Sequence, residues 1–525
     1  MSGSETDSSG QPPRDERVES GIPRLDFILK GGFKQGGIYA LMGPPGSGKT
    51  ILVNQLCFNH IDKSEGRCVY MTLLIESHAK MLRHLASLRF FQLEHIPDKL
   101  YYISGYKVVR DQGFGGLLEL IRGTLRERKA TVFVIDGMES AEQFAPTAQA
   151  YGEFVHSLQA LASLLGCTTF LVSNVRERTH TENALVDGVV ELSDRLIGPR
   201  AVRELTVHKF RGSDYLRGRH EVEISSDGIS IHPRTEVQFA HPGPSARESR
   251  PRMAFGLPRF DEMLGGGLLS GSTTALVGSP GTGKTLLGLS FLVEGARRGQ
   301  RGMYFGFYEP PPRLIEKAEA VGIPLERYVQ DGSIALEWQP PLEHLMDSLA
   351  EQMLEKIRAA PEREHRRLFV DGAEGFRAAA VYPERVPIFL SALTNQLRSL
   401  NITTVITDEL ELFQSELVLP TPELANVAES VVLLRYVELR SQIYRLLSVM
   451  KMRESRYDSS LREVHITPSG IDVADSFQSA EAILSGRGRV REARVATTDG
   501  KAPKKGSAPL KPAGKKRARP SRRGR

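Results

Sequence analysis

Two segments of the chain, Gly43-Pro44-Pro45-Gly46-Ser47-Gly48-Lys49-Thr50 and Gly278-Ser279-Pro280-Gly281-Thr282-Gly283-Lys284-Thr285, have the residue types and spacing that hold a polyphosphate. Both fit the phosphate-loop pattern of glycine, four residues, glycine, lysine and a hydroxyl residue. Small residues at Gly43, Gly46, Ser47 and Gly48, and at Gly278, Gly281, Thr282 and Gly283, let successive backbone N–H groups turn inward around phosphate oxygens. The helix expected to follow adds its unpaired N–H donors and the positive end of its dipole. Lys49 and Lys284 should then reach the β- and γ-phosphates, while the hydroxyls of Thr50 and Thr285 ligate magnesium. The ligand this chemistry fits is ATP with Mg2+.

Such a site needs an acidic partner for the metal. Val132-Phe133-Val134-Ile135-Asp136 and Leu368-Phe369-Val370-Asp371 each supply an apolar strand ending in aspartate, so Asp136 and Asp371 are expected to face magnesium, directly or through water. Hydrolysis also needs a carboxylate that orients the attacking water. Glu76 after Met71-Thr72-Leu73-Leu74-Ile75 and Glu309 after Tyr304-Phe305-Gly306-Phe307-Tyr308 occupy that place, at unequal distances from the two lysines: 27 and 25 positions. The remaining chemistry is cationic. Lys209 and Arg211, and again Lys451 and Arg453, put two bases on one face of a late strand, expected at a sheet edge; they are candidates to stabilise charge on a γ-phosphate, although basic pairs on edge strands are usually solvated.

These positions recur in register. Gly21-Ile22-Pro23-Arg24-Leu25-Asp26 returns as Gly256-Leu257-Pro258-Arg259-Phe260-Asp261, and the same shift of 235 carries Lys49 onto Lys284 and Asp136 onto Asp371. A period that long means duplication of a whole domain rather than a solenoid of short units. The expected organisation is a disordered stretch over 1–17, a first domain over 18–245, a second over 246–486 and a disordered basic tail over 487–525. Within each copy, continuous apolar runs alternate with helical ones. In the first copy the runs Ile38 to Met42, Cys68 to Leu74, Thr131 to Ile135 and Thr168 to Val172 read as strands, and Thr50 to Asn59 as a helix. The fold class is α/β: two tandem RecA-like phosphate-loop domains, each with a mostly parallel central sheet covered by helices on both faces.

Composition sets the remaining bounds. The net charge of +6 is carried by the tail, where 15 Lys or Arg face only Glu492 and Asp499, leaving −7 for the other 486 residues. Attraction to nucleic acid should therefore reside in the tail alone. Cys57, Cys68 and Cys167 show no metal-ligand spacing and read as small buried hydrophobes, the histidines His60, His78, His84 and His95 fit no ligand set, and the single Trp338 is expected to pack. With no signal-like or membrane-spanning apolar stretch, a cytoplasmic protein without membrane association is expected.

Together these residues resemble the KaiC family of circadian clock ATPases and their bacterial relatives, from about Val18 to Gly486. The most specific stretch is Glu429-Ser430-Val431-Val432-Leu433-Leu434-Arg435-Tyr436-Val437-Glu438, followed by Lys451-Met452-Arg453 and Asp475-Ser476-Phe477. The resemblance implies a double-layered hexameric ring, with ATP between subunits, a protein signalling partner, and Lys209, Arg211, Lys451 and Arg453 reaching the neighbour's γ-phosphate. It also implies an autokinase, but two departures stand out. Adjacent glutamates in the family are replaced by Ile75-Glu76 and Tyr308-Glu309, and the phosphorylated Ser-Thr pair by Ala425-Asn426. Two other readings remain open: a RecA- or RadA-type DNA repair ATPase, suggested by the basic tail but lacking tail aromatics and a cysteine zinc module, and an assembly scaffold held together by ATP with little turnover.

Overall fold

The computed structural model describes residues 16–74, 78–174, 185–240, 250–340, 344–359, 365–410, 422–439, 441–453, 455–474, 481–482 and 488–489. The first repeat contributes strands β1 (Ile38–Met42), β2 (Cys68–Thr72), β3 (Leu100–Ser104), β4 (Val132–Asp136), β5 (Thr168–Ser173), β6 (Gly188–Ile197), β7 (Arg200–Phe210), β8 (Arg219–Ser225) and β9 (Gly228–His232). The second contributes β10 (Thr273–Gly278), β11 (Arg301–Gly306), β12 (Ile334–Trp338), β13 (His365–Asp371), β14 (Thr403–Glu409), β15 (Ser430–Leu439), β16 (Gln442–Met452), β17 (Arg462–Thr467) and β18 (Gly470–Val473). Each set forms one nine-stranded sheet. Their orders, β9-β8-β7-β6-β1-β5-β4-β2-β3 and β18-β17-β16-β15-β10-β14-β13-β11-β12, are the same topology twice.

Six neighbours, β6 to β3 through the central β1, run parallel, and β7 to β9 extend the sheet antiparallel. Parallel strands must be covered on both faces, and the alternation along β1 shows how. Tyr39 and Leu41 pack with Leu52, Val53 and Leu56 of helix α1 (Lys49–Ser64). Ile38, Ala40 and Met42 point the other way, onto Leu117 and Ile121 of α2 (Tyr106–Arg128) and Phe154 and Leu158 of α3 (Ala148–Leu165). The second repeat does the same: Leu276 packs with α4 (Lys284–Arg297), while Ala275 and Val277 face α5 (Met346–Ala359) and α6 (Val386–Ser399). Each large side chain so buried contributes roughly 1.5 to 3 kcal/mol relative to exposure, which is why each sheet, rather than its loops, fixes the geometry of its carboxyl edge.

Three expectations change. The strands carrying Lys209 and Lys451 are interior, since β7 lies between β6 and β8 and β16 between β15 and β17. Trp338 is two-fifths exposed, because β12 is an edge strand and its last residue has cover on one side only. Arg17, placed with the leading polar stretch, pairs with Lys34 in a short strand and bonds the carbonyls of Leu29 and Gly32. The three cysteines are buried and free. His60 bonds Thr131 and His95 bonds Asp62. The expected boundary near residue 245 and the tail from 490 onward lie outside the described residues.

The repeats meet across a polar seam. Glu221 of β8 accepts hydrogen bonds from the Asp347 and Ser348 amides at the start of α5, at 2.9 and 3.2 Å, doing for a helix of the other repeat what a capping side chain does locally. Asp347 in turn accepts from the amide and hydroxyl of Thr235, and Arg385 joins Asp347 to Glu236. Nearby, His232 bonds Glu351 at 2.6 Å and lies 3.5 Å from Glu223, with Arg24 on the far side of Glu351. Burial alone would lower the imidazole pKa, but the two carboxylates hold it up to about 10. A pKa raised in the folded state stabilises fully below the free value of about 6.5 and is lost as pH rises through the folded one. We therefore expect the melting temperature to fall more between pH 7 and pH 10 in the parent than in His232→Gln; parallel curves would show that His232 contributes no such term.

Candidate nucleotide sites

Each phosphate loop begins where the central strand of its sheet ends. Gly43 follows β1 and Gly278 closes β10, and both are pressed against a neighbour strand: an added Cβ would lie 1.9 Å from the Leu192 carbonyl oxygen or 2.4 Å from that of Leu434. Gly48 and Gly283, just before α1 and α4, have φ of 99° and 101°, a region that costs an L side chain energy. Glycine at these places is therefore a steric demand of the loop. Gly46 and Gly281 also have positive φ. Ser47 and Thr282 are fully buried between them; Thr282 bonds the Ser279 carbonyl, while Ser47 Oγ has no partner among the described residues.

Lys49 and Lys284 start their helices and fold back over the loops. Lys49 Nζ donates to the Gly43 and Pro44 carbonyls at 2.9 and 2.8 Å, and Lys284 Nζ to those of Gly278 and Ser279 at 2.7 and 3.0 Å. Burial lowers both ammonium pKa values; Asp136 and Glu139 oppose this at Lys49, and Glu409 and Asp371 at Lys284. The predicted aspartates sit where the sequence put them, at the carboxyl ends of β4 and β13. Asp371 Oδ1 accepts from Thr285 Oγ1 at 3.4 Å and Thr407 Oγ1 at 2.9 Å, and Oδ2 from the Tyr304 hydroxyl at 3.3 Å. Asp136 accepts from the Tyr70 hydroxyl at 2.6 Å. Burial raises both carboxyls above their ordinary range, and these hydrogen bonds pull them back. A buried carboxylate beside a threonine hydroxyl is an oxygen donor set that fits hydrated Mg2+, with the lysine left for the phosphates.

In the second repeat these groups line one cleft of about 320 Å³, which Lys284, Thr285 and Asp371 share with Glu309, Glu374 and Glu409. Glu309 pairs through Oε1 with Lys317 at 2.8 Å, and its buried Oε2 has no partner among the described residues. Tyr308, where the family resemblance places a second glutamate, lines the same cleft and is exposed. Glu76 lies outside the described residues. The strand register nonetheless explains half of the unequal spacing: Thr72 lies opposite Asp136 and Gly306 opposite Asp371, which makes the path from loop lysine to strand end one residue longer in the first repeat.

The basic pairs do not join the cradle of their own repeat. Lys209 stands opposite Val189, which is level with Ala40, three residues before Gly43; Lys451 stands opposite Val431, level with Ala275. At roughly 3.3 Å per residue both lie about 10 Å toward the amino edge, two strands from the loop. There Lys209 Nζ bonds the Val186 carbonyl, Lys451 Nζ those of Ala425 and Ala428, and Arg453 that of Asn426.

Sequence reasoning missed several members of this set. Glu139 and Glu374 each follow the strand-end aspartate by three positions and differ by the repeat shift of 235, a recurrence that could have been read. Tyr70 and Tyr304 could not, because a tyrosine inside an apolar strand looks like core until its hydroxyl is seen on the aspartate.

A glycine loop between the central strand and first helix of such a sheet, with a buried lysine and a strand-end aspartate, defines a tandem nucleotide-binding protein of the RecA-like phosphate-loop class. The chain belongs within it to the KaiC ATPase family: the family model described as "ATPase: KaiC" matches residues 18–236 and 253–477. It is 28% identical over 488 residues to the circadian clock oscillator protein KaiC of Parathermosynechococcus lividus, covering 90% of this chain and 87% of that protein. Similarity to the KaiC of Rippkaea orientalis is 28% over 484 residues, 90% of this chain and 91% of the other. The Synechocystis protein named KaiC 1 is 27% identical over 484 residues with the same coverages. Among the described residues no helix is long and apolar enough to cross a membrane.

Proposed function

We propose that both repeats bind ATP with Mg2+ and hydrolyse it, and that the bound nucleotide switches the conformation of a six-membered ring and its affinity for a protein partner. The observation that carries this reading is the convergence of Lys284, Thr285, Asp371 and Glu309 on one cleft. In it the loop amides and Lys284 bind the phosphates, and Thr285 with Asp371 would hold Mg2+, which supplies charge neutralisation between phosphate oxygens. Glu309 orients a water with its unpartnered oxygen and takes its proton as the water attacks. Lys451 and Arg453, held away from their own loop, fit a role at a neighbouring copy's γ-phosphate, which favours a ring over a monomer. The relatives' names, circadian clock oscillator proteins, support a switch.

Self-phosphorylation at the family position is not part of the proposal. Ala425 and Asn426 offer no hydroxyl, their carbonyls are bonded to Lys451 and Arg453, and the nearby Ser430 is buried. Thr421 lies outside the described residues. In a Lys49→Ala chain, which leaves one intact cradle, Glu309→Gln is expected to slow ATP hydrolysis by at least about 100-fold while ATP still binds. Unchanged turnover would remove Glu309 from the mechanism, and a parent chain that neither binds nor hydrolyses ATP would end the proposal.

A further inference from the structure

The duplication makes one difference between the cradles easy to isolate. β5 is followed by Asn174, and β14 ends on Glu409, 235 positions later. In the first repeat the Asn174 side chain is folded onto Glu139: Nδ2 donates to Oε1 at 2.6 Å and the backbone N–H to Oε2 at 3.3 Å. In the second repeat Glu374, the register mate of Glu139, accepts the backbone N–H of Glu409. The Glu409 carboxylate is thereby left to turn into the cleft, where Oε1 lies 3.5 Å from Lys284 Nζ. Lys49 has no such ion pair among the described residues and is held by carbonyls alone.

We propose that Glu409 is a latch on the phosphate-loop lysine, present among the described residues in the second repeat only, which the γ-phosphate must displace, so that it weakens ATP at that site more than ADP. The inference rests on the nucleotide reading above. Its physics is direct. Lys284 is buried, so it gains from a nearby carboxylate, and Glu409 is the largest influence opposing the effect of burial on its ammonium. A triphosphate that takes the lysine leaves Glu409 facing like charge, and ATP brings more of that charge to the lysine than ADP does. Glu409 is half exposed, so the effect is screened and moderate rather than prohibitive.

The test uses the full-length chain with Lys49→Ala, titrated with fluorescent ATP and ADP analogues in the presence of Mg2+. Adding Glu409→Gln, which keeps the shape and removes the charge, should tighten ATP about tenfold and ADP less than about threefold. In a Lys284→Ala chain the reverse change, Asn174→Glu, should weaken ATP by a similar factor. Raised salt should narrow the difference in ATP affinity between the Lys49→Ala chains with and without Glu409→Gln. Equal effects on ATP and ADP, or no tightening in Glu409→Gln, would overturn the latch while leaving nucleotide binding intact. A Lys49→Ala, Lys284→Ala chain that binds ATP as tightly as the parent would instead overturn the nucleotide reading, and the latch with it.

Discussion

With alanine at both Lys49 and Lys284, ATP binding measured by equilibrium titration is expected to weaken by on the order of 100- to 1,000-fold, and hydrolysis to vanish with it. Each ammonium is a charge-assisted donor to phosphate oxygens worth about 3 to 4 kcal/mol once two such bonds are counted. The structure says why the loss should be functional rather than structural. Among the described residues both ammonium groups bond only main-chain carbonyls of the loop and, in the second repeat, a half-exposed glutamate. Neither ammonium bonds a side chain of the apolar layers, and Lys284 lines an open cleft, so water can take the place of its ammonium there. Thermal melting without nucleotide should therefore shift little, whereas the stabilisation the parent gains from added ATP should disappear. Equal ATP-dependent stabilisation of parent and double variant would remove the phosphate loops from the account.

The second large effect concerns the basic pairs. Lys451→Ala with Arg453→Ala, in a Lys49→Ala chain, is expected to cut turnover by about 1,000-fold or more with nucleotide binding retained, as loss of a transition-state cation does in phosphoryl transfer. The pair lies near the amino edge of its sheet and the loop at the carboxyl edge, so in the proposed ring the cation would serve a different copy's site. Mixing gives the decisive reading. Subunits carrying Lys284→Ala but an intact pair, combined with subunits lacking the pair but keeping the loop, should regain turnover at about one interface in four in a random head-to-tail ring. No recovery in verified mixed assemblies would mean that the pairs serve their own repeat or only the fold. Lys209 and Arg211 should behave alike toward the first-repeat site.

The parallel half of each sheet was legible because its strands are buried on both faces and read as unbroken apolar runs. The segment from Ile38 to Met42 is β1 as expected, and the run from Thr168 ends one residue later than read. The antiparallel half was harder. β7 alternates buried and partly exposed residues, so its interior place in the sheet is not written in its hydrophobicity, and Lys209 looked like an edge residue. At the site, the loops and Asp136 and Asp371 could be found because their chemistry allows few residue types at fixed spacing. Glu409 could not, since a glutamate ending a strand is ordinary until the fold brings it to Lys284. The basic tail, which alone suggested nucleic acid, lies almost wholly outside the described residues.

The seam between the repeats has one more implication. Glu221, Asp347, Glu236 and Arg385 are paired across the junction, and unlike an oily surface, such a set tolerates only the complement it was made for. Joining two first halves back to back would leave Glu221 and Glu236 without their partners across the junction, and joining two second halves would leave Arg385 without Glu236. The charges thus act as a polarity mark, so that unlike halves are the ones that fit against each other.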